Sequence, residues 1–452
     1  MSTLLERAKG SALDVITNFT IPIGTIKLIA PRAQQIVCLE FMRNDWQDII
    51  AFSEFNSRQF PLLRTLKITS FDTFNSHGQH NVVIPPSLRL FGGSVNLRQF
   101  VFSSWRHSFL SHFVFPNLTT FKLLPIPTED LTASCLLDFL RASPLLQTVE
   151  MSVFAEIDLT SVPHNMVVVL PNVETFSLHV AEDILPQIYD FASHISCPCA
   201  RSTSLTHDTY NNAMRANLEV FPMPAVWNTI VHQYMASPVA EVTLETKRSE
   251  GVVVACFLTF QSSDTVVLRL GFSIRESGVG ENELNMSDVE MGWDIFSQAL
   301  TTIRDHPLLS HVRRLRIKER VPVSSACEVR TATKIQELLS SLGPLDELTI
   351  RGCDLRLLLA GFLDDPGLCR LGQPISFPQI KDFKILYPSM GIDEMECMNA
   401  IVELAKSQHA LGIPFECVIV RTWYYHEGME EELGRWVATV DYSLWCKEGE
   451  DV

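Results

Sequence analysis

The chain has 452 residues, of which 46% are hydrophobic and 19% charged, a composition typical of a folded protein. Its 52 acidic and 36 basic residues give a formal net charge of −16, which disfavours binding to a nucleic-acid backbone through counterion release. The longest apolar stretches, GVVVACFLTF (251–260) and LLLAGFL (357–363), are too short to span a bilayer. We therefore expect a folded protein that binds neither nucleic acid nor membrane.

The first segment, 1–19, has charged residues where a secretory signal requires an uninterrupted apolar run, namely Glu6, Arg7 and Lys9. We therefore expect a cytoplasmic or nuclear protein whose eleven cysteines are reduced. We interpret 1–19 as an N-terminal lead or remnant helix with at most one short helix in 1–16. The first strand is predicted at 25–29.

The stretch FPLLRTLKI (60–68) introduces a pattern that recurs along the chain. A Pro is followed by apolar residues two, five and seven positions later, so that in this copy Leu66 and Ile68 face one side of a strand and Lys67 the other. The Pro fixes φ in the turn and prevents a preceding helix from continuing into the strand. Matching stretches are 61–68, 116–123, 144–151, 171–178 and 378–385, with looser copies at 95–102, 238–244, 312–317, 344–350 and 414–420.

Segments with helical periodicity precede many of these predicted strands: 44–55, 131–142, 292–306, 334–342 and 394–408. A unit of helix, Pro turn and strand cannot bury both of its apolar surfaces alone, but stacked units form a continuous core. The spacing L-x-x-L-x-L is that of leucine-rich repeats. We predict an α/β leucine-rich-repeat solenoid with parallel strands on the concave face and helices on the convex face.

The repeats are irregular, because equivalent strand residues are 34, 21, 28 and 27 positions apart (Leu66, Phe100, Phe121, Val149 and Phe176). We therefore predict an irregular horseshoe over 20–425. Within it, 190–237 carries few repeat signals and is a candidate register break, with a possible strand at 202–206. A strand is predicted at 265–274, followed by an acidic loop at 276–290.

The C-terminal segment, 426–452, has apolar residues at helical spacing and three glutamates at its start, where a helix dipole favours anions. We predict a capping helix and a tail. The residues that carry this pattern are Met429, Leu433, Trp436, Val437, Val440 and Leu444.

The sequence contains no glycine-rich phosphate loop, zinc-protease motif or nucleophile elbow, so we expect a protein that is not an enzyme and has no cofactor. The best candidate for a metal site is His194, Cys197 and Cys199 with His207 beyond them. Their C-x-C spacing differs from the usual C-x-x-C, and no second cysteine pair follows. We interpret these thiols as packing residues and expect no metal site.

The alternation within the strands predicts which side chains lie on the concave face. Several are basic although the chain is acidic, which favours a locally positive surface that meets an acidic segment of a protein partner. The candidate interaction residues are Lys67, Thr69, Lys122, Glu150, Ser177, Thr243, Arg316, Lys318, Thr349, Arg351 and Lys384.

Several phrases resemble the large fungal families of F-box proteins with degenerate leucine-rich repeats. They are SALDVIT (11–17), PLLRTLKI (61–68), LFGGSVNLRQFVF (90–102), ASPLLQTVEMSV (142–153), LPNVETFSL (170–178) and HISCPCARSTSLTH (194–207). The resemblance extends over nearly the whole chain and rests on repeat phrases. It implies that the repeats recruit a target protein for ubiquitin transfer and that an F-box docks on the cullin adaptor.

This sequence differs from that family at its N-terminus, because the residues before position 25 contain no LP-x-E start with an apolar helical continuation. We therefore expect the F-box to be missing, either because the sequence is truncated or because the chain is a free-standing repeat protein. Two functions follow: a substrate receptor of a ubiquitin ligase, or a stand-alone binding or decoy protein with no role in ubiquitin transfer.

Overall fold

The computed structural model shows an α/β protein whose strands are mostly parallel. The chain divides into two compact units, the first formed by Met1–His207 with His232–Ala236 and the second by Asp208–Val231 with Ser237–Val452. The structure describes residues 10–17, 29–42, 60–69, 90–91, 94–103, 107–124, 131–153, 157–163, 165–181, 190–209, 239–249, 252–262, 265–275, 311–319, 339, 342–352, 378–386, 394–422 and 426–444.

The first unit is built on a sheet whose strands lie in the order β1-β2-β3-β4-β5-β7-β10-β12. Neighbours from β1 to β10 are parallel. Two short parallel pairs, β6 with β8 and β9 with β11, accompany this sheet. The strands are β1 (Leu13–Thr17), β2 (Ile36–Met42), β3 (Thr65–Thr69), β4 (Gln99–Ser103), β5 (Thr120–Leu123), β6 (Leu131–Thr132), β7 (Thr148–Val153), β8 (Ile157–Asp158), β9 (Val168–Val169), β10 (Thr175–Ala181), β11 (Ile195–Ser196) and β12 (Ser202–Thr209).

A tight turn precedes the strands that begin with the repeated Pro pattern. The amide of Leu63 donates to the carbonyl of Phe60 at 3.3 Å, and the amide of Leu118 donates to Phe115 at 3.1 Å. The Pro therefore occupies the second position of a four-residue turn, where its fixed φ is favoured. The residue after the turn also pairs with the preceding strand: the amide of Arg64 donates to the carbonyl of Val37 in β2 at 2.8 Å, which extends the parallel ladder to the residue before β3.

The core of the first unit contains the five aligned residues that the repeat predicts. Leu66 pairs with Phe100, Phe100 with Phe121, Phe121 with Val149, and Val149 with Phe176. All five are fully buried. The connections between the strands therefore differ in length, while the strands themselves keep one register.

The connections of the first unit differ in structure. The helix α1 (Ala133–Arg141) confirms the helix predicted at 131–142 and buries Leu136, Leu137 and Leu140. The ring of Phe139 in α1 packs against Phe121 with a centroid distance of 4.7 Å. Two other connections contain 3-10 helices, Ala30–Gln35 and His107–His112. The helix predicted at 44–55 lies outside the described residues.

The prediction for the N-terminal lead is wrong in one respect, because Leu13–Thr17 forms β1 and pairs with β2. Its sequence LDVIT is rich in β-branched residues, which favour a pleated, half-buried strand over a helix. Most of the strand predicted at 25–29 lies outside the described residues.

The second unit has a mixed sheet in the order β15-β14-β13-β16-β17-β18-β19-β20. Neighbours from β13 through β16 to β20 are parallel, as predicted. Its strands are β13 (Glu241–Ser249), β14 (Val252–Ser262), β15 (Thr265–Arg275), β16 (Arg314–Glu319), β17 (Leu345–Arg351), β18 (Ile380–Leu386), β19 (Cys417–Thr422) and β20 (Thr439–Leu444).

The expectation of parallel strands throughout is wrong for β13, β14 and β15, which pair antiparallel. Two residues separate β13 from β14, and two separate β14 from β15. Such short connections can join only antiparallel strands, since a parallel pair needs a crossover of a dozen or more residues. The strand predicted at 265–274 is confirmed as β15.

The helix predicted at 394–408 is confirmed as α2 (Glu394–Ala410), which buries Met398, Ile401 and Leu404. Two residues after the end of α2, Gly412 has a φ of 77°, which belongs to the left-handed region that favours glycine. Of the helices predicted at 292–306 and 334–342, the first lies outside the described residues and the second lies almost wholly outside them. Across the described part of the chain, no helix combines the length and apolar composition needed to cross a membrane.

The predicted C-terminal capping helix is correct only for α3 (Met429–Gly434), which buries Met429 and Leu433. Val440 and Leu444 lie in β20, which pairs with β19. The spacing of these two residues matched a helix by coincidence. Pairing with β19 instead satisfies the backbone of 439–444 and buries Tyr442, whose hydroxyl accepts the amide of His426 at 3.0 Å.

Candidate functional site

Each unit presents polar side chains on one side of its sheet, opposite the buried apolar residues. In β3, for example, Leu66 and Ile68 are fully buried, whereas Thr65, Lys67 and Thr69 are half-buried on the other side. We call this side the polar face of the unit. The predicted interaction residues lie on these polar faces, five strand positions in the first unit and six in the second: Lys67, Thr69, Lys122, Glu150, Ser177 and Thr243, Arg316, Lys318, Thr349, Arg351, Lys384.

The lysines on the polar face of the first unit are neutralised by neighbouring carboxylates. Lys67 Nζ donates to Glu40 Oε2 at 3.0 Å, and Lys122 Nζ donates to Glu150 Oε2 at 2.6 Å. In both pairs the two residues are cross-strand neighbours in the parallel register. The predicted residues of this unit therefore form one-to-one ion pairs, and no excess of positive charge arises from them.

Thr69 and Ser177 occupy two further polar positions of the first unit. The hydroxyl of Thr69 donates to the carbonyl of Phe41 at 3.0 Å, which ties the end of β3 to β2. Ser177 is half-buried and stands beside Glu150 in the pairing of β10 with β7. Thr69 therefore has a structural contact, while Ser177 is part of the surface beside an ion pair.

The polar face of the second unit contains a larger network of ion pairs. Glu241 is contacted by Arg314 Nε at 3.3 Å and by Arg316 Nε at 3.3 Å. Glu347 is contacted by Arg316 Nε at 3.8 Å and accepts a hydrogen bond from Lys384 Nζ. Among the ion pairs that the structure describes on this face, two carboxylates thus contact three cations.

Glu347 is stabilised in its charged form by this network. Partial burial alone raises its pKa, but hydrogen bonds from Lys384 and Thr349 and the positive charges of Lys384 and Arg316 outweigh that effect. The pKa of Glu347 therefore lies below its ordinary value of 4.5. The carboxylate is anionic at neutral pH and acts as the anchor of Lys384 and Arg316.

Thr243 and Thr349 were expected to be exposed on the concave face, and this expectation is wrong, because they are only 7% and 5% exposed. Each hydroxyl donates to the glutamate two positions earlier in the same strand, Thr243 to Glu241 at 3.4 Å and Thr349 to Glu347 at 2.9 Å. The long side chains in the neighbouring strands cover these short ones. Both threonines form the floor of the polar face.

Lys318 and Arg351 are neighbours in the pairing of β16 with β17, and both are half-buried. Glu245 is the partner of Lys318 in β13. This row continues the polar face towards the carboxyl ends of the parallel strands. It places two further cations and the carboxylate of Glu245 beside the network around Glu241 and Glu347.

Sequence reasoning missed residues that complete the network. The missed residues stand directly opposite or diagonally to predicted residues in neighbouring strands, a relation that appears only when the register is known. They are Glu40 in the first unit and Glu241, Glu347 and Arg314 in the second. Arg269 lies in the antiparallel β15, where no parallel unit was expected, and its Cζ stands 4.1 Å from the centroid of the Phe257 ring. The alternation of TVVLRLGFSI (265–274) was the signal that placed Arg269 opposite the apolar residues of that strand.

The candidate metal residues have other structural roles. His194 is 5% exposed and its Nδ1 donates to the carbonyl of Met166 at 2.7 Å. Burial raises the pKa of the Cys197 thiol to about 12, whereas Cys199 is exposed. The His207 side chain lies outside the description. Among the side chains that the structure describes, no group of three or more His, Cys, Asp or Glu residues is placed to hold a metal ion.

In comparisons with known proteins, no family model and no curated protein matches the chain. The polar face of the second unit is therefore described by its own chemistry. It offers guanidinium and ammonium groups held in place by two buried or half-buried carboxylates. Such a surface suits recognition of acidic groups.

Proposed function

We propose that this chain is a non-enzymatic protein-interaction module that binds a partner through the polar face of its second unit. The single observation that supports it most is the network in which Glu241 and Glu347 hold Arg314, Arg316 and Lys384. Buried or half-buried carboxylates fix these long side chains and reduce the entropy that they lose when a partner binds. The guanidinium and ammonium groups that the network presents are suited to pair with an acidic segment of that partner.

The proposal includes a leucine-rich-repeat solenoid with the polar faces on its concave side. The parallel strands that follow each Pro turn, and the register that joins Leu66 to Phe176 through three intervening strands, support stacked repeats. In repeat proteins of this kind the strand face is an extended binding surface. The free cysteines, including the exposed Cys199, are consistent with a reducing cytoplasmic or nuclear location.

The resemblance to F-box proteins gives this binding role a specific form, the recruitment of a target to a ubiquitin ligase. The alternative is a stand-alone binding or decoy protein with no role in ubiquitin transfer. Both forms use the same polar face. They differ in whether the cullin adaptor binds the chain.

The test is affinity purification of the tagged full chain with quantitative mass spectrometry. Three forms are compared: the natural chain, Lys318→Glu on the polar face, and Arg435→Glu on α3 as a control with the same charge reversal. Arg435 is exposed and pairs only with Glu431 on its own helix among the contacts that the structure gives it. We expect a partner that the natural chain and Arg435→Glu retain and that Lys318→Glu loses.

The cullin adaptor in stoichiometric amount would support the ligase form, and its absence beside another retained partner would support the stand-alone form. A partner held equally by all three proteins would contradict the proposed surface. The melting temperature of each variant, measured in parallel, separates loss of binding from loss of fold.

A further inference from the structure

One cross-strand row on the polar face of the second unit has a distinctive composition. Arg269 in β15 pairs with Thr259 in β14, Thr259 pairs with Thr243 in β13, and Thr243 pairs with Arg316 in β16. Three strand spacings place the Cα atoms of the two arginines about 14 Å apart. Two short hydroxyl side chains thus separate two long guanidinium side chains on one surface.

Arg269 carries a positive charge that no carboxylate neutralises within the described part of the chain. Its guanidinium lies over the ring of Phe257, with Cζ 4.1 Å from the ring centroid. This cation–π contact orients the guanidinium and leaves its charge uncompensated. Its Nε is buried and has no hydrogen-bond partner. A buried donor of this kind is costly unless a ligand completes its hydrogen bonding.

Arg316 is also incompletely satisfied. Its Nε lies 3.3 Å from Glu241 Oε1, but the direction is not that of a hydrogen bond, and this nitrogen too is buried without a hydrogen-bond partner. Glu241 is shared with Arg314, and Glu347 is shared with Lys384. Arg316 is therefore held in place by charge and keeps donor capacity for a further anion.

We propose that Arg269 and Arg316, with Thr243 and Thr259 between them, form a seat for one oxyanion group on an acidic segment of the protein partner. The proposal rests on the proposed function and specifies what that polar face recognises. Guanidinium groups donate in a planar fork that matches carboxylate and phosphate oxygens. The Thr259 hydroxyl adds a donor between the two arginines, whereas the Thr243 hydroxyl already donates to Glu241. The oxyanion is a phosphate on a phosphorylated side chain or the carboxylate of Asp or Glu.

The test measures binding of three fluorescein-labelled ten-residue peptides to the full chain by fluorescence anisotropy. The peptides consist of Gly and Ser and differ at their centre, which carries a phosphoserine, two glutamates or unmodified serine. We expect the phosphoserine or the glutamate peptide to bind and the unmodified peptide to bind at least about tenfold more weakly. Preference for the phosphoserine peptide identifies phosphate as the recognised group, and preference for the glutamate peptide identifies carboxylate.

The decisive variant is Arg269→Gln, because Arg269 takes part in no ion pair in the described structure and its removal leaves no carboxylate without a partner. We expect Arg269→Gln to weaken the preferred peptide at least about tenfold. Arg269→Lys keeps the charge and loses the fork, so its effect is expected to be intermediate. Arg435→Gln removes the same charge from α3 and is expected to leave binding unchanged.

The seat would be overturned if no anionic peptide bound the natural chain, if Arg269→Gln bound as tightly as the natural chain, or if Arg435→Gln weakened binding equally. The failure of the seat is distinguishable from failure of the proposed function. A cellular partner lost by Lys318→Glu but retained by Arg269→Gln overturns only the seat. Peptide binding that depends on Arg269, without any partner that depends on the polar face, supports the seat and overturns the proposed function.

Discussion

The side-chain amide of Asn172 donates a hydrogen bond of 3.0 Å to the backbone carbonyl of Pro144, 28 positions earlier in the chain. The same relation joins Asn117 to the carbonyl of Val95 at 2.7 Å and Asn96 to the carbonyl of Pro61. Each asparagine is the third residue of a four-residue turn, and its side chain reaches the second residue of the equivalent turn before the neighbouring strand. Side chains therefore join the turns of the first unit where the backbone ladder does not.

Replacement of Asn172 by alanine removes one of these links without changing the core. We expect Asn172→Ala to lower the free energy of unfolding by about 0.5–1.5 kcal/mol, the usual net value of such a hydrogen bond. Gln147→Ala is the matched control, because Gln147 is also an exposed amide side chain beside a turn and the structure gives that side chain no hydrogen bond. Urea titration of both variants measures the effect, and equal destabilisation would contradict the role of the link.

The carboxylate of Glu347 is predicted to make stability depend on pH. Because its pKa is lowered in the folded chain, its contribution is present above the ordinary value of 4.5 and is lost as the pH falls below that value. We expect Glu347→Gln to destabilise the chain at pH 7 by about 1–3 kcal/mol, since Lys384 loses its charged partner and Arg316 keeps only Glu241 among the carboxylates described beside it. The difference between the natural chain and the variant is expected to shrink as the pH falls towards 3.

Unfolding titrations at several pH values between 3 and 7 measure this difference. Glu403→Gln is the control, because Glu403 pairs with Lys406 on the surface of α2, and such pairs contribute little. A difference between the natural chain and Glu347→Gln that stayed constant over the whole range would show that the charge of Glu347 is not what stabilises the network.

The two cysteines of the C-x-C stretch are predicted to differ in reactivity. Burial raises the pKa of Cys197 to about 12, so almost none of it is thiolate at pH 8, and its side chain is inaccessible. Cys199 is exposed. We expect iodoacetamide to label Cys199 in the folded chain and Cys197 only after unfolding in urea, as measured by peptide mass spectrometry. Equal labelling rates in the folded chain would contradict the packing role of Cys197.

The strands were predictable because their signal is local. A Pro turn followed by alternating apolar residues placed β3, β5, β7, β10 and β18, and burial of one side then fixes their register. The antiparallel β13, β14 and β15 also carried a local signal, the two-residue interruptions Glu250-Gly251 and Ser263-Asp264 between segments rich in β-branched residues, which are typical of hairpins. The parallel pattern elsewhere outweighed it.

The ion-pair network was not predictable from the sequence, because its members are far apart in the chain. Arg316 meets Glu241 and Glu347 only because β16 lies between β13 and β17 in one register. A shift of one residue would move Glu241 to the apolar side of the sheet. The positions of the basic residues on the strands could therefore be predicted from the sequence. The carboxylates that hold them, and the burial of Thr243 and Thr349, became known only from the register of the sheet.

The most direct test of the proposed binding surface is site-specific photocrosslinking in cells. A benzophenone amino acid is placed at position 318 on the polar face of the second unit or at position 411, where Leu411 is 69% exposed after α2. We predict that the polar-face position crosslinks a protein partner on irradiation and that position 411 does not crosslink that partner. A partner crosslinked only from position 411, or equally from both positions, would contradict binding through the polar face.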